Sequence, residues 1–512
     1  MFDLGTSFVA SVARDPNAVA IVDEGIRLTY AEWLAKISSL VAAFDRLELR
    51  PGDHLVTMLQ NRWEAATLHW ACQFAGLIVT PVNWRAKPDE IDYVLENSEA
   101  KALAFEDVAA EAVAQSTLAS KIRCIPVGSA AGGDVSFAAL IADPAPTARP
   151  RVDADAWSLM LYTSGTTARP KGVPRRHRAE RMSALAHVGQ NLYARGERTL
   201  GVMPLYHTMG VRSLLAMSMI GGTFVCLPRF DPARALEIIE QERITNLYLV
   251  PTLYHDVVHH PRFEKTDTSS VRKLGFAGAS MTDGLLTKLT DAFQPDLFVN
   301  HYGSSEIYTF TIDQNAAAKP GSAGRSGLNQ YIRVVPLGAA TPHQDAASGE
   351  EGEIVALASS DEAFEGYWRH PDATAKSLRD GWYFTGDTGF MDADGDLFVT
   401  GRVDDMIITG GENVSPVEIE SCLSLHPGVL EVAVVGIPDE RWGKIVVAFV
   451  QRADDVSAEE LDQHCRTSGL ANFKRPRRIE FVKAIPKSPV GKLLRRQLVA
   501  GEYEQEDPIR AA

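Results

Sequence analysis

Cysteine is scarce and unpatterned in this chain. The five cysteines, Cys72, Cys124, Cys226, Cys422 and Cys465, stand far apart and include no C-x-x-C pair. That spacing argues against a zinc site and a disulfide framework, and it suits a reducing cytosol. Positive charge is in deficit: 51 Lys and Arg stand against 66 Asp and Glu, for a net charge of −15. General nucleic-acid binding is therefore not expected, and an anionic ligand has to be held by local cations. No apolar run reaches the roughly 20 residues that cross a bilayer. Asp3 lies near the start with no basic segment beside it, which predicts no secretory leader; the expected location is the cytoplasm. What remains is an ordinary globular composition, 45% hydrophobic and 23% charged, over 512 residues. That length exceeds a single hydrophobic core and calls for two or more domains.

The densest chemistry lies in Tyr162-Thr163-Ser164-Gly165-Thr166-Thr167-Ala168-Arg169-Pro170-Lys171-Gly172-Val173, directly after the apolar run from Trp157 to Leu161. Threonine and serine hydroxyls, glycines and a lysine supply rotatable O–H donors, backbone N–H groups and one point positive charge. Those are the groups that hold a triphosphate. The loop is not a Walker A sequence: Pro170 takes the place of the second glycine in G-x-x-x-x-G-K-[ST], and Gly172 follows the lysine. A nucleotide handled by a fold other than that of the P-loop ATPases is expected.

Short apolar runs alternate with longer helical patterns over the first three-fifths of the chain. Strands are predicted at 55–59, 77–82, 102–105, 159–162, 223–227, 246–250, 273–276 and 297–300, and helices at 30–44, 62–74, 88–97 and 233–242. Such alternation implies α/β layering. Three strands run into polar loops: Tyr162 into the hydroxyl loop, Phe276 into Ala277-Gly278-Ala279-Ser280, and Asn300 into His301-Tyr302-Gly303-Ser304-Ser305-Glu306. Ligands of open α/β sheets sit at the carboxyl ends of strands, so these loops are expected to converge. Residues 142–150 read as a proline-rich connector. The stretch Asp392-Ala393-Asp394-Gly395-Asp396 imitates a calcium loop, but Val403 stands where an EF-hand needs glutamate, and a β-turn is predicted instead. Beyond Asp404 a small unit begins, with helices at 416–425 and 458–465 and strands at 431–435, 444–451 and 478–482. The expected fold is α/β, with a large multi-subdomain N-terminal domain over 1–403 and a small mobile α+β C-terminal domain over 404–512.

Seven motifs follow one another in order: the hydroxyl loop; Pro204-Leu205-Tyr206-His207; Tyr302-Gly303-Ser304-Ser305-Glu306; Tyr383-Phe384-Thr385-Gly386-Asp387; Gly401-Arg402-Val403-Asp404-Asp405; Gly410-Gly411-Glu412-Asn413-Val414; and Pro486-Lys487 through Gly491-Lys492. Together they resemble the adenylate-forming enzymes: acyl-CoA synthetases, luciferases and peptide-synthetase adenylation domains. Within that superfamily the chain is most similar to the 4-chlorobenzoate-type aryl-CoA ligases, over 203–210, 404–413, 473–478 and 493–499.

The resemblance implies ATP-dependent ligation in two halves. A carboxylate attacks the α-phosphate of ATP, giving acyl-AMP and pyrophosphate; the thiol of coenzyme A then displaces AMP. It implies phosphate contacts for Thr163, Ser164, Gly165, Thr166, Thr167 and Lys171. Ala168, where relatives usually have glycine, is expected to alter closure of that loop, because alanine tolerates positive φ poorly. Adenine and its surroundings fall to Gly278, Ala279, Asn300, Tyr302, Gly303 and Ser305, with Tyr302 stacking on the base. The ribose falls to Asp387 and Arg402, and Mg²⁺ to Glu306, a hard cation on carboxylate oxygen. Lys492 bridges the carboxylate and α-phosphate during adenylation. Asp404 is the hinge about which the small domain turns. Gly410 and Gly411 let pantetheine pass, while Arg85, Arg475 and Arg477 meet the phosphates of CoA and Trp442 and Phe473 its adenine or pantetheine. The basic run from Lys474 to Arg496, opposed within it by Glu480, otherwise reads as a solvated surface. Neither nucleic-acid nor integral membrane partners are expected, and the state is a monomer or homodimer.

For the acid, the resemblance places His207 between the thiol tunnel and the acyl pocket, as a gate in preference to a base. The pocket walls are His207, Thr208, Met209, Val250, Ala277, Gly278, Gly303 and Tyr308, mostly apolar with little charge. Acetate-type relatives carry tryptophan at the Gly303 position, so Gly303 implies a larger acid. No aspartate near His207 is placed to pair an ammonium, which speaks against amino acids. An aromatic or alicyclic monocarboxylate is expected, then a medium-chain fatty acid; loading of a carrier-protein thiol is the alternative to CoA.

Overall fold

A computed structural model describes residues 1–163, 169–402, 406–410, 412–487 and 493–506, without the side chain of Asn413. The first sheet has six strands, in the order Arg123–Pro126, Ala102–Phe105, His54–Met58, Ile78–Pro81, Trp157–Thr163 and Lys171–Arg176. All neighbours are parallel except the last pair, an antiparallel hairpin closed by the hydroxyl loop. Parallel neighbours need crossovers, and the helices Trp63–Ala75 and Pro88–Ser98 provide them.

The second sheet has fourteen strands. Its parallel part runs Val19–Asp23, Thr223–Cys226, Arg198–Gly201, Asn246–Leu249, Lys273–Phe276 and Leu297–Tyr302. At Leu297–Tyr302 the direction reverses. Thr311–Asp313 and Ser322–Ser326 add antiparallel, and Leu397–Arg402, Trp382–Met391, Gly352–Leu357 and Ile332–Pro336 continue that way. Leu297–Tyr302 is therefore a seam between the parallel and antiparallel parts, and the chain leaving it forms the candidate site.

One core joins both sheets. Leu55 and Leu161 of the first and Ile21 and Phe224 of the second bury against Phe8, Trp33, Trp70 and Leu214 of intervening helices. The polar tips inside it are satisfied: Tyr30 Oη donates to the Gly222 carbonyl at 2.8 Å, and Trp33 Nε1 to Thr67 Oγ1 at 2.9 Å. The predicted strands and helices fall within a few residues of those observed. The helices Leu4–Arg14, His177–Gln190 and Thr208–Ile220 were not anticipated. Nearly every residue of Thr208–Ile220 is buried, so it has no polar face to create a period. Among the described residues no helix is long and apolar enough to cross a membrane.

The smaller C-terminal domain is a five-stranded sheet, Glu412–Val414, Ile407–Thr409, Gly443–Arg452 and Val429–Asp439, with Arg478–Phe481 parallel to Gly443–Arg452. Ile419 and Leu423 of Pro416–Ser424 and Leu461 and Cys465 of Ala458–Thr467 pack on its Val432 and Val434. The domain rests on the helix Asp283–Phe293. Gly284 donates its N–H to Ser424 Oγ at 3.5 Å, and a Cβ on Gly284 would lie 2.3 Å from the Ser424 carbonyl oxygen. The expected boundary at Asp404 lies outside the described residues.

The Asp392–Asp396 segment is the turn that was expected, with Gly395 N–H on the Asp392 carbonyl at 3.1 Å. Its three carboxylates gather closely, and Lys319 Nζ stands among them, 2.5 Å from Asp392, 3.0 Å from Asp394 and 2.6 Å from Asp396. A lysine supplies the charge a metal would.

Candidate active site

Two antiparallel strands place the ribose candidates. Asp387 of Trp382–Met391 is in register with Arg402 of Leu397–Arg402, and Arg402 Nη1 lies 2.9 Å from Asp387 Oδ1. The other carboxylate oxygen, Oδ2, accepts from Tyr302 Oη at 2.6 Å. Burial, aided by the Asp387 charge, pushes the Tyr302 hydroxyl well above the usual tyrosine range, so it remains a donor. The Asp387 N–H is turned back onto Thr385 Oγ1 at 3.0 Å. A carboxylate has about four acceptor positions, and Tyr302 and Arg402 each hold one oxygen of Asp387. Asn300, on the same seam strand, donates to the Ser322 carbonyl at 2.7 Å.

Glu306 is seated by a small turn: Ser304 Oγ accepts from Glu306 N at 3.2 Å and Ile307 N at 3.3 Å, and Ser304 N–H meets the Ile307 carbonyl at 2.8 Å. Ser305 lies half-buried within it. The Glu306 carboxylate is buried and accepts from Tyr367 Oη at 2.7 Å. Lys171 Nζ sits over the ring of the same tyrosine, 4.2 Å from its centroid. Arg175 ties the two strands' loops together, with Nε on Glu180 Oε1 at 2.7 Å and Nη1 on the carbonyls of Glu306 and Glu362 at 2.9 and 2.7 Å. Lys171 pairs with Thr163 across the hairpin. Ser164, Gly165, Thr166, Thr167 and Ala168 lie outside the described residues, as do Asp404, Gly411 and Lys492. One carboxylate plus substrate phosphates is the usual magnesium arrangement in nucleotide sites. Glu306, held through one oxygen by Tyr367, fits that donor set.

The sequence did not single out Tyr367. Its signal was the cluster Phe364-Glu365-Gly366-Tyr367-Trp368, where Gly366 has φ 132°, a backbone that favours glycine.

On the acyl side, His207 caps the helix Thr208–Ile220, its Nδ1 accepting from Met209 N at 3.4 Å. Gly278 has φ +84°, and a Cβ there would lie 3.3 Å from Val250 Cγ1 and 4.0 Å from Met209 Sδ. Gly278, Val250 and Met209 are thus brought together, with buried Ala277 and Thr208 beside them in sequence. Ala279 follows Gly278 and is half-buried.

Gly303 carries a constraint besides the size of the acid: a Cβ there would stand 2.1 Å from the Tyr308 carbonyl oxygen. Tyr308 faces a buried ion pair, its hydroxyl 3.2 Å from Glu180 Oε2 and its ring 4.0 Å below the Arg175 guanidinium. Tyr248 and His301, two residues before Val250 and Gly303, are buried with Arg212 and His187.

The CoA candidates form their own groups. Gly410 donates its N–H to the Trp442 carbonyl at 2.9 Å, and the Arg477 guanidinium lies 4.3 Å from the Trp442 ring. Phe473 is 41% exposed. Arg85 lies over the ring of Trp84 at 3.6 Å. The basic run is not a bare solvated surface: Lys474 pairs with Glu418, Arg475 with Asp462, Lys487 with Glu431 and Arg495 with Glu420.

Comparison with known proteins gives two family matches, an AMP-binding enzyme model over residues 8–368 and an AMP-binding enzyme C-terminal domain model over 418–492. A feruloyl-CoA synthase of Amycolatopsis sp is 35% identical over 499 residues, covering 96% of this chain and 97% of that one. A 4-chlorobenzoate–CoA ligase of Arthrobacter sp is 34% identical over 503 residues, covering 95% and 93%. Among solved structures, the anthranilate CoA ligase AuaEII in complex with anthranoyl-AMP superposes with a TM-score of 0.90 at 25% identity, covering 98% of this chain and 97% of that one.

Proposed function

The chain belongs to the AMP-binding enzyme family, and we propose that it is an AMP-forming carboxylate–CoA ligase acting on an aromatic or alicyclic acid. A feruloyl-CoA synthase, a 4-chlorobenzoate–CoA ligase and an anthranilate CoA ligase, all of similar length and matched over nearly the whole chain, support this reading. The observation that carries the reading lies at the end of the seam strand. Tyr302–Asp387–Arg402 stands on one side and Glu306–Tyr367–Lys171 on the other, four residues of chain apart.

In the first half-reaction the acid's carboxylate oxygen attacks the α-phosphorus of ATP, and the bond to pyrophosphate breaks. Asp387 and Arg402 hold the ribose, fixing the α-phosphate relative to the acid. Lys171 and the loop before it draw charge on the leaving pyrophosphate. Magnesium, when bound through Glu306, would neutralise phosphate charge; Tyr367 keeps that carboxylate oriented. Lys492 comes in from the C-terminal domain to the developing charge. Catalysis here is positioning and electrostatic stabilisation.

In the second half the thiolate of CoA attacks the acyl carbon and AMP leaves. His207, committed to capping a helix, gates the thiol path and does not take its proton. Asp404 is the hinge between the halves, with domains over 1–403 and 404–512. Arg85, Gly410, Gly411, Trp442, Phe473, Arg475 and Arg477 meet CoA. The enzyme works in the cytoplasm as a monomer or homodimer.

Incubation with ATP, Mg²⁺ and a panel of acids, with and without CoA, tests this by following pyrophosphate, AMP and thioester. Acid-dependent pyrophosphate release, with AMP and thioester formed only when CoA is added, is expected. Pyrophosphate release without thioester, relieved by a carrier-protein thiol, would replace CoA ligation with carrier loading.

A further inference from the structure

The acyl side has a polar floor beneath its apolar walls. Tyr248 and Gly275 are paired on neighbouring parallel strands, and Tyr248, Gly275 and His301 stand two residues before Val250, Ala277 and Gly303. Gly275 carries no side chain, and a Cβ there would sit 3.1 Å from Tyr248, 3.4 Å from Asn191 Oδ1 and 3.7 Å from His301 Nε2. From the facing helix, Arg212 lies one turn after Thr208. It donates from Nη1 to Thr309 Oγ1 at 2.7 Å and from Nη2 to Tyr248 Oη. His187 closes the group: its ring is 5.1 Å from that of His301 and 4.7 Å from that of Tyr248.

Asn191 assigns the protons. Its Nδ2 donates to His187 Nδ1 at 2.9 Å and to the His187 carbonyl at 2.8 Å; its Oδ1, 3.1 Å from His301 Nε2, accepts. Burial pushes both histidines well below the usual range, so each is neutral and carries a single N–H. That proton sits on Nε2 of His187 and on Nε2 of His301. Three buried atoms of this group have no hydrogen-bond partner among the described residues: the donors Arg212 Nε and His187 Nε2, and the acceptor His301 Nδ1. Arg212, His187 and His301 are 2%, 0% and 2% exposed. Unpaired polar atoms so deep are costly and call for a partner.

We infer that this floor is a hydroxyl subsite, and that the acid carries an alcohol or phenol O–H at the end remote from its reacting carboxylate. A hydroxyl is the small group that both donates once and accepts twice: its proton goes to His301 Nδ1 and its lone pairs accept from Arg212 Nε and His187 Nε2. A second carboxylate suits the two donors but meets the lone pair of His301. This inference rests on the ligase reading, since it names the acid for the same site.

The test uses the whole protein and acids in matched pairs that differ by one hydroxyl: benzoate with 4-hydroxybenzoate, cinnamate with 4-hydroxycinnamate, and 3-phenylpropionate with 3-(4-hydroxyphenyl)propionate. Terephthalate is included as a dicarboxylate. Pyrophosphate release gives kcat/KM for each. In the pair of matching length the hydroxylated acid should be preferred on the order of a hundredfold, because a site built for a hydroxyl rejects its absence. Arg212→Met and His301→Phe should narrow that preference, read as the ratio of kcat/KM within the matched pair. Should either variant not fold, the wild-type panel still decides. Turnover of acids with every pair within threefold, as a floor satisfied by buried water would give, overturns the subsite. So does a preference for terephthalate. If no acid releases pyrophosphate, the ligase reading itself has failed.

Discussion

On the nucleotide side of the strand Leu297–Tyr302 each charged group is held by a neighbour, whereas on the acyl side three buried nitrogens have no partner among the described residues. Asp387 is fixed by Tyr302 and Arg402, and Glu306 by Tyr367, before any ligand arrives. Such preorganisation costs nothing at the moment of reaction. The floor beneath Val250 and Ala277 is instead completed by whatever enters. The contrast separates what all acids need, a rigid nucleotide shelf, from what one acid needs, a group with the right donors and acceptor.

The strongest way to break the contrast is Lys492→Ala. It should slow acid-dependent pyrophosphate release on the order of 10²–10³-fold, as loss of one charge-stabilising donor does. Thioester formation from supplied acyl-adenylate should be spared. An equal fall in both halves would remove Lys492 from the nucleotide side.

Tyr367→Phe takes away the hydroxyl that orients Glu306 and leaves the ring under Lys171. About tenfold in kcat/KM for ATP is expected, the worth of one hydrogen bond to a charged group. The preference among acids should not move. If acid preference changes and the ATP dependence does not, the two sides are not separable.

Gly303→Ala addresses the backbone between them. The added Cβ meets the Tyr308 carbonyl oxygen, and overpacking of this kind costs about 1–3 kcal/mol. A lower Tm with unchanged acid preference is expected. A shift toward smaller acids at unchanged Tm would make pocket size the constraint at Gly303.

The neutrality of the floor is open to a pH test. Burial holds His69 down to about 3 and His54 and His177 to about 4, with His187 and His301 also well below the usual range. The unfolded chain takes up these protons near pH 6.5 and the folded protein does not. Stability is therefore full above about pH 6.5 and falls as pH drops below it. Urea midpoints at successive pH values should decline across that interval. A midpoint flat through it would mean that the histidines protonate in place, and the tautomers assigned by Asn191 would not hold.

The smallest effect is expected from Asp462→Asn, which carries the rule of the held charge into the C-terminal domain. Released from Asp462, Arg475 should change KM for CoA by less than about threefold, as exposed ion pairs contribute little.

The nucleotide side was largely legible in the sequence. Its residues sit in contiguous motifs because strand-to-loop junctions concentrate them, as at Tyr302 to Glu306 and Tyr383 to Asp387. The predicted elements of the C-terminal domain fell close to those observed for a related reason: their apolar runs are short and bounded. The floor was not legible as a motif. Arg212, His187, Tyr248 and His301 come from four separate elements, and only strand and helix periods applied from Val250, Gly303 and Thr208 lead to three of them. Gly303 was read for its size because a sequence shows a missing side chain and not the carbonyl that forbids one. The basic run near the C-terminus was read without Glu418, Asp462, Glu431 and Glu420, which come from other elements.

Lys319, standing among Asp392, Asp394 and Asp396, makes this turn carry its own counter-ion. A tethered ammonium is always at high effective concentration beside its carboxylates, and neither dialysis nor a chelator removes it. The β-hairpin between the two strands that present Asp387 and Arg402 thus balances its acidic turn from within the chain.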